Sequence, residues 1–114
     1  MVREISEIDG TTVVTLTKRF DADSAPMIEK ELEPVIAEHP ERILFDFSKT
    51  DYISSAGVRV LLKLTRAITD GGGAVALASL NPQVEYVFEI TGFTKIFTIY
   101  PSRDKALKKM KKGK

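Results

Sequence analysis

Phe45-Asp46-Phe47-Ser48-Lys49-Thr50-Asp51-Tyr52-Ile53-Ser54-Ser55-Ala56-Gly57-Val58-Arg59-Val60-Leu61-Leu62 decides the fold. Its first part belongs to Arg42-Ile43-Leu44-Phe45-Asp46-Phe47, a nearly continuous apolar run. Such a run suits a central strand covered on both faces. A polar loop, Ser48 to Ser54, follows. From Gly57 to Asp70 the period changes: Val58, Leu61, Leu62, Thr65 and Ile68 share one helical face, and Arg59, Lys63 and Arg66 share another. Gly71-Gly72-Gly73 stops that helix.

Strand and helix signals alternate on either side. Val2 to Ile8 and the β-branched run Thr11 to Thr17 flank Asp9-Gly10, so they read as a hairpin with a tight turn. Asp23 or Ser24 caps a helix with Pro26 in its first turn, and Ile28, Leu32, Val35 and Ile36 form its apolar face. Pro34 kinks or shortens it, and His39-Pro40 ends it. Ala74 to Ser79 is a buried strand of small residues. Asn81-Pro82 opens a short helix with Val84, Val87, Phe88 and Thr91 on one face, closed by Gly92. Lys95 to Tyr100 reads as a strand, and Ser102 caps a last helix through about Lys111. The order β-β-α-β-α-β-α-β-α predicts an α/β fold. It is a mixed β-sheet with helices packed mainly on one face. At 114 residues the chain reads as one domain over 1–114, with Lys108–Lys114 as a frayed basic tail.

Composition excludes several functions. There is no cysteine, hence no disulfide, thiolate metal site or cysteine nucleophile. The single histidine, His39, sits in a loop and offers no triad or zinc cluster. Gly71-Gly72-Gly73 lacks the Lys-Ser/Thr of a phosphate loop and follows a helix instead of preceding one. The chain is therefore read as no enzyme, with no metal and no cofactor. No run reaches the roughly 20 apolar residues of a membrane span, and the acidic N-terminus lacks a signal-peptide core. The expected location is the cytoplasm, with no membrane insertion. Net charge is +1, but residues 1–57 hold 6 basic and 12 acidic side chains, and residues 58–114 hold 11 and 4. Six lysines lie between Lys105 and Lys114. Without interleaved aromatics they read as a solvated face, and no nucleic acid is expected.

Two serines at a helix start admit two readings. A serine hydroxyl there accepts a free N–H of the first turn. The same free N–H groups and the helix dipole also favour an anion. A phosphate added there, with a charge of about −1.5 to −2, changes the surface without opposing the fold.

Asp51-Tyr52-Ile53-Ser54-Ser55-Ala56-Gly57-Val58-Arg59-Val60-Leu61-Leu62 resembles the signature of STAS domains, in particular the bacterial anti-sigma factor antagonists. The likeness spreads over nearly the whole chain: Val13-Val14-Thr15-Leu16 with Phe20-Asp21-Ala22, Ile43 to Ser48, Gly72 to Leu77, Asn81-Pro82-Gln83-Val84, and Gly92 to Phe97. The resemblance implies a protein that binds an anti-sigma factor with serine kinase activity and thereby frees a sigma factor. It implies release on phosphorylation of Ser54, with Ser55 as the fallback, and restoration by a serine phosphatase. The partner surface it implies comprises Asp21, Tyr52, Ile53, Ser54, Ser55, Gly57, Val58 and Arg59. Ile53 stands where many members carry an aspartate, and Lys18-Arg19 where a glycine is usual. The competing reading keeps the fold without the switch: a scaffold of a stress-signalling complex, or an accessory subunit of a lipid transporter. Asp21 is also open to a plain turn role, and Phe88, Phe93 and Phe97 read as core.

Overall fold

The computed structural model describes residues 2–111. Strands β1 (Val2–Ile8) and β2 (Thr11–Leu16) form the expected antiparallel hairpin. Asp9 and Gly10 both take positive φ, 52° and 81°, which matches the right-handed twist of the two strands. Next come β3 (Arg19–Phe20), α1 (Ala25–Ala37), β4 (Arg42–Asp46), β5 (Tyr52–Ile53) and α2 (Ser55–Asp70). The chain continues through β6 (Ala74–Ala78), α3 (Pro82–Ile90), β7 (Ile99–Tyr100) and α4 (Arg103–Lys111). The main sheet has the order β1-β2-β4-β6-β7. Its first pair is antiparallel and the others are parallel.

β4 lies between β2 and β6, as its apolar run requires. Alternation sends Ile43 and Phe45 to one face and Leu44 to the other. On the first face Ile28 and Leu32 of α1, Val58, Leu61, Leu64 and Ile68 of α2, and Val84 and Phe88 of α3 complete one core. On the second, Val13, Leu44, Ala76 and Ala78 meet Ala106 and Met110 of α4. The short side chains of β6 leave room there for a helix. Three helices thus cover one face and one covers the other.

The structure corrects several sequence expectations. The polar loop from Ser48 to Ser54 contains a strand: β5 pairs in parallel with β3 as a second, two-stranded sheet. The strand expected from Lys95 shrinks to Ile99–Tyr100. The N–H groups of Ile96 and Phe97 both donate to the Phe93 carbonyl, at 3.0 and 3.3 Å, closing a turn. That turn returns Phe97 to Phe88, whose ring also meets Phe47 edge-on. In α2, Leu64 is buried in place of Leu62 and Thr65, which are half-buried. Pro34 does not end α1; it lies on the exposed side, where water can serve the carbonyl left without its N–H partner. The frayed tail expected from Lys108 is helical through Lys111, because Met110 is buried against the sheet. Positions 112–114 of that tail lie outside the described residues.

One long-range pair anchors α4. Asp46, at the end of β4, is 2% exposed. Its Oδ2 accepts from Arg103 Nε at 3.0 Å and lies 2.9 Å from Arg103 Nη2. Arg103 also donates to Thr15 Oγ1, and Asp46 Oδ1 accepts from the N–H of Ser48. Arg103→Ala leaves a buried carboxylate unpaired and is expected to cost about 3 kcal/mol, read by urea denaturation. A loss below 0.5 kcal/mol would show that water reaches Asp46.

Candidate functional site

The site grows from the chain's exit from β4. Asp51 and Tyr52 both direct their N–H groups to the Lys18 carbonyl, at 2.8 and 3.3 Å. Thr50 is buried, and its hydroxyl donates to the Thr17 carbonyl at 2.8 Å. Tyr52 and Ile53 then pair with Arg19 and Phe20, and the Ser54 N–H reaches the Phe20 carbonyl at 3.0 Å. From the other side α3 holds the same backbone. Asn81 Nδ2 donates to the carbonyls of Thr50 and Asp51, and its Oδ1 caps α3 by accepting from the Val84 N–H. The Gln83 amide grips the Ile53 peptide: Oε1 accepts from its N–H at 3.2 Å, and Nε2 lies 3.5 Å from its oxygen.

Ser54 is the N-cap of α2, in extended conformation. Its Oγ accepts from the Gly57 N–H at 3.4 Å, a long and weak cap bond. Ser54 is half-buried and Ser55 is exposed. Gly57 is fixed by space. A Cβ there would lie 2.4 Å from the Phe20 carbonyl oxygen and 2.9 Å from Ile53 Cγ1. The first turn of α2 therefore rests directly on β3.

The expected partner residues divide. Ser54, Ser55, Tyr52, Arg59 and Asp21 reach the surface at least in part. Ile53, Gly57 and Val58 do not: Ile53 is fully buried and Val58 is 1% exposed. They hold the platform from beneath and cannot offer side chains to a partner without opening the core. The buried Ile53 also explains an apolar residue just before the serines.

Asp21 takes the turn role that was one of the readings open for it. Its Oδ1 accepts from the N–H groups of Asp23 and Ser24, at 3.1 and 3.2 Å. It is thus the carboxylate at the entry to α1, where Asp23 or Ser24 was expected to cap. Ser24 makes no side-chain cap bond; its hydroxyl donates to the Arg19 carbonyl. Arg19 Nε lies 3.3 Å from Asp21 Oδ2, and its guanidinium stands 4.5 Å from the centre of the Tyr52 ring. Asp21, Arg19 and Tyr52 form a connected strip beside Ser54. Arg19 carried no functional reading in the sequence, because its link to Tyr52 exists only through the β3–β5 pairing. Arg59 forms no ion pair among the described residues. Lys63 is held by Glu29 of α1 at 2.6 Å, whose hydrogen bond and charge raise the pKa of the ammonium. Among the described residues no three metal-ligating side chains come together, and no helix is long and apolar enough to cross a membrane.

The STAS domain profile matches residues 3–106. The chain belongs to the STAS domain family. It is 35% identical over 102 residues to BtrV of Bordetella bronchiseptica, which is named as an anti-sigma factor antagonist; the match covers 90% of this chain and 88% of BtrV. Its fold matches the crystal structure of a Thermotoga maritima protein described as an anti-sigma factor antagonist, with a TM-score of 0.87 at 22% identity, covering 93% and 92% of the two chains. It also matches the Bacillus cell-fate determinant SpoIIAA in its phosphorylated form, with a TM-score of 0.70 at 18% identity over 94% and 97%. The mixed sheet and the placing of the helices are those of this STAS fold.

Two outcomes test the construction of the site. Gly57→Ala forces the first turn of α2 off the Phe20 carbonyl and is expected to destabilise the fold by about 3 kcal/mol in urea denaturation. An unchanged midpoint would mean that the backbone yields there freely. The Asp21 carboxyl is held below its ordinary pKa, first by the Ser24 N–H, which outweighs an opposing desolvation, and then by the Asp23 N–H and the hydrogen bond and charge of Arg19. Its stabilising effect is complete above the unfolded value of about 3.9 and fades as pH falls through the depressed one. Asp21→Ala should lower Tm at pH 7 and have little effect near pH ~2. An equal drop at both would assign the loss to packing instead of charge.

Proposed function

We propose that this chain is an anti-sigma factor antagonist whose binding is switched at Ser54. Unphosphorylated, it captures an anti-sigma factor with serine kinase activity and so frees a sigma factor. That kinase phosphorylates Ser54 and is released, and a serine phosphatase restores the binding form. The observation that carries this reading is the position of Ser54: a partly exposed N-cap hydroxyl, weakly engaged, on a backbone clamped by β3 and α3. The naming of BtrV supports the antagonist reading over a scaffold or transporter subunit, and a phosphorylated form of SpoIIAA supports the modification.

The physical argument is one of local charge. A phosphate on Ser54 brings acceptor oxygens to the free N–H groups of the first turn of α2, where the helix dipole also favours it. The domain therefore tolerates the group. A partner does not, if its surface is acidic there. A dianion about 5 Å from one carboxylate costs roughly 6 kcal/mol at an effective dielectric near 20, before screening and relaxation. Even about 3 kcal/mol weakens binding about 100-fold. The binding surface consists of Ser54 and Ser55 with Tyr52, Arg59 and the Asp21 carboxylate beside them. The chain acts through this surface and contributes no catalytic group.

A pull-down from lysate of the source cell tests the proposal, with wild type and Ser54→Asp side by side and mass spectrometry as the readout. The expected result is a kinase-like ATPase recovered by wild type and lost with Ser54→Asp. Incubation of the recovered kinase with ATP should label wild type and Ser55→Ala, but not Ser54→Ala. Equal recovery by wild type and Ser54→Asp, or label retained in Ser54→Ala, overturns the switch.

A further inference from the structure

Arg19 belongs to the Ser54 platform, yet its contacts there are loose. Its Nε lies 3.3 Å from Asp21 Oδ2, longer than a strong charge-assisted bond, and 62% of its side chain is exposed. Its guanidinium also stands 4.5 Å from the centre of the Tyr52 ring. The strand pairing sets these groups around Ser54. Arg19 pairs with Tyr52 and Phe20 with Ile53, and the Ser54 N–H closes on the Phe20 carbonyl. Phe20 and Ile53 are fully buried, so Arg19, Asp21, Tyr52 and Ser54 share the outward side. Asp21 is then the cross-strand neighbour of Ser54. Arg19 is its diagonal neighbour, at about 7 Å between Cβ atoms. An arginine side chain spans that distance.

We infer that Arg19 is the internal partner of a phosphate on Ser54, a role that rests on the Ser54 switch proposed above. With the phosphate present, the guanidinium leaves Asp21 Oδ2 and the Tyr52 ring and turns its planar fork to the phosphate oxygens. A dianion draws it more strongly than one carboxylate, and guanidinium and phosphate pair bidentately. The backbone of β3 keeps its pairs with β5; only the side chain turns. Asp21 stays in place, because its Oδ1 is held by the N–H groups of Asp23 and Ser24. Arg59 serves the other serine: it follows Ser55 by four residues on α2 and shares that side of the helix. From α3 the platform meets Gln83, which carries no charge.

The consequence is a rearranged surface, beyond an added charge. Before phosphorylation Arg19 and Asp21 cancel, and Tyr52 lies under a cation. Afterwards Arg19 neutralises only half of the phosphate dianion, the Asp21 Oδ2 is bared, and the Tyr52 ring loses the guanidinium above it. A partner fitted to the first arrangement meets two unbalanced negative groups and an uncovered ring in the second.

Phosphoserine placed at position 54 during translation, with no kinase involved, tests this by ³¹P NMR titration of the full chain. The second ionisation of phosphoserine falls near pH ~6, and a guanidinium in contact favours the dianion and lowers it. Arg19→Ala should therefore raise the phosphate pKa by about half a unit, and Arg59→Ala should move it less than half as far. The rise on losing Arg19 should persist in an Asp21→Asn background, where the side chain keeps its Oδ1 acceptor. Far-UV circular dichroism and Tm confirm that each variant is folded. A phosphate pKa unmoved by Arg19→Ala overturns the inference. So does a rise that disappears with Asp21→Asn, since Arg19 would then act only by neutralising Asp21. Because the phosphate is installed without a kinase, either result leaves the Ser54 switch to be judged by its own pull-down and labelling.

Discussion

The first turn of α2 lies against the Phe20 carbonyl, and the rest of the platform is arranged around that contact. Only a residue without a side chain fits at position 57. Once Gly57 is there, β3 and β5 can run side by side, the Ser54 N–H closes on Phe20, and the serine is held at the mouth of the helix. Asn81 and Gln83 then pin the same backbone from α3. The serine is thus a surface group on a rigid support, and its neighbours above are polar because those below are buried.

In the function proposed, this arrangement separates stability from switching. The core residues Ile53 and Val58 set the height of the platform, and Asp46 with Arg103 ties the start of the loop to α4 on the opposite face. On the proposed reading, none of these groups is altered by a charge added at Ser54. The groups that would feel it, Asp21, Arg19, Tyr52 and Arg59, lie on the surface or at its margin. On the proposed reading, a phosphate at this point changes what the surface repels and leaves the packing alone.

Much of this was legible in the sequence, for identifiable reasons. The hairpin is marked by Asp9-Gly10, the central strand by an apolar run covered on both sides, and α2 by its period and its glycine stop. What escaped was what depends on contacts between distant residues. β3 and β5 have two residues each, too few for any period to appear. Arg103 meets Asp46 across 57 positions, and neither residue advertises the other. Lys95 to Tyr100 has the composition of a strand, but Phe97 is drawn back to Phe88, which leaves two residues for the sheet. In the candidate site, residue types pointed to the serines, and only burial sets Ile53, Gly57 and Val58 beneath the exposed surface. The setting of Asp21, in the turn before α1 and against Arg19, likewise needed the strand pairing to be seen.

The central claim is that a phosphate on Ser54 alters a surface and not a fold. The most direct measurement compares the amide ¹⁵N–¹H spectra of the unmodified chain and of the same chain carrying phosphoserine at position 54. The account predicts changes confined to Asp21–Ser24 and to Tyr52–Arg59, with the amides of β2, β4 and β6 unmoved. Shifts spreading through those strands, or loss of the α2 signals, would contradict it.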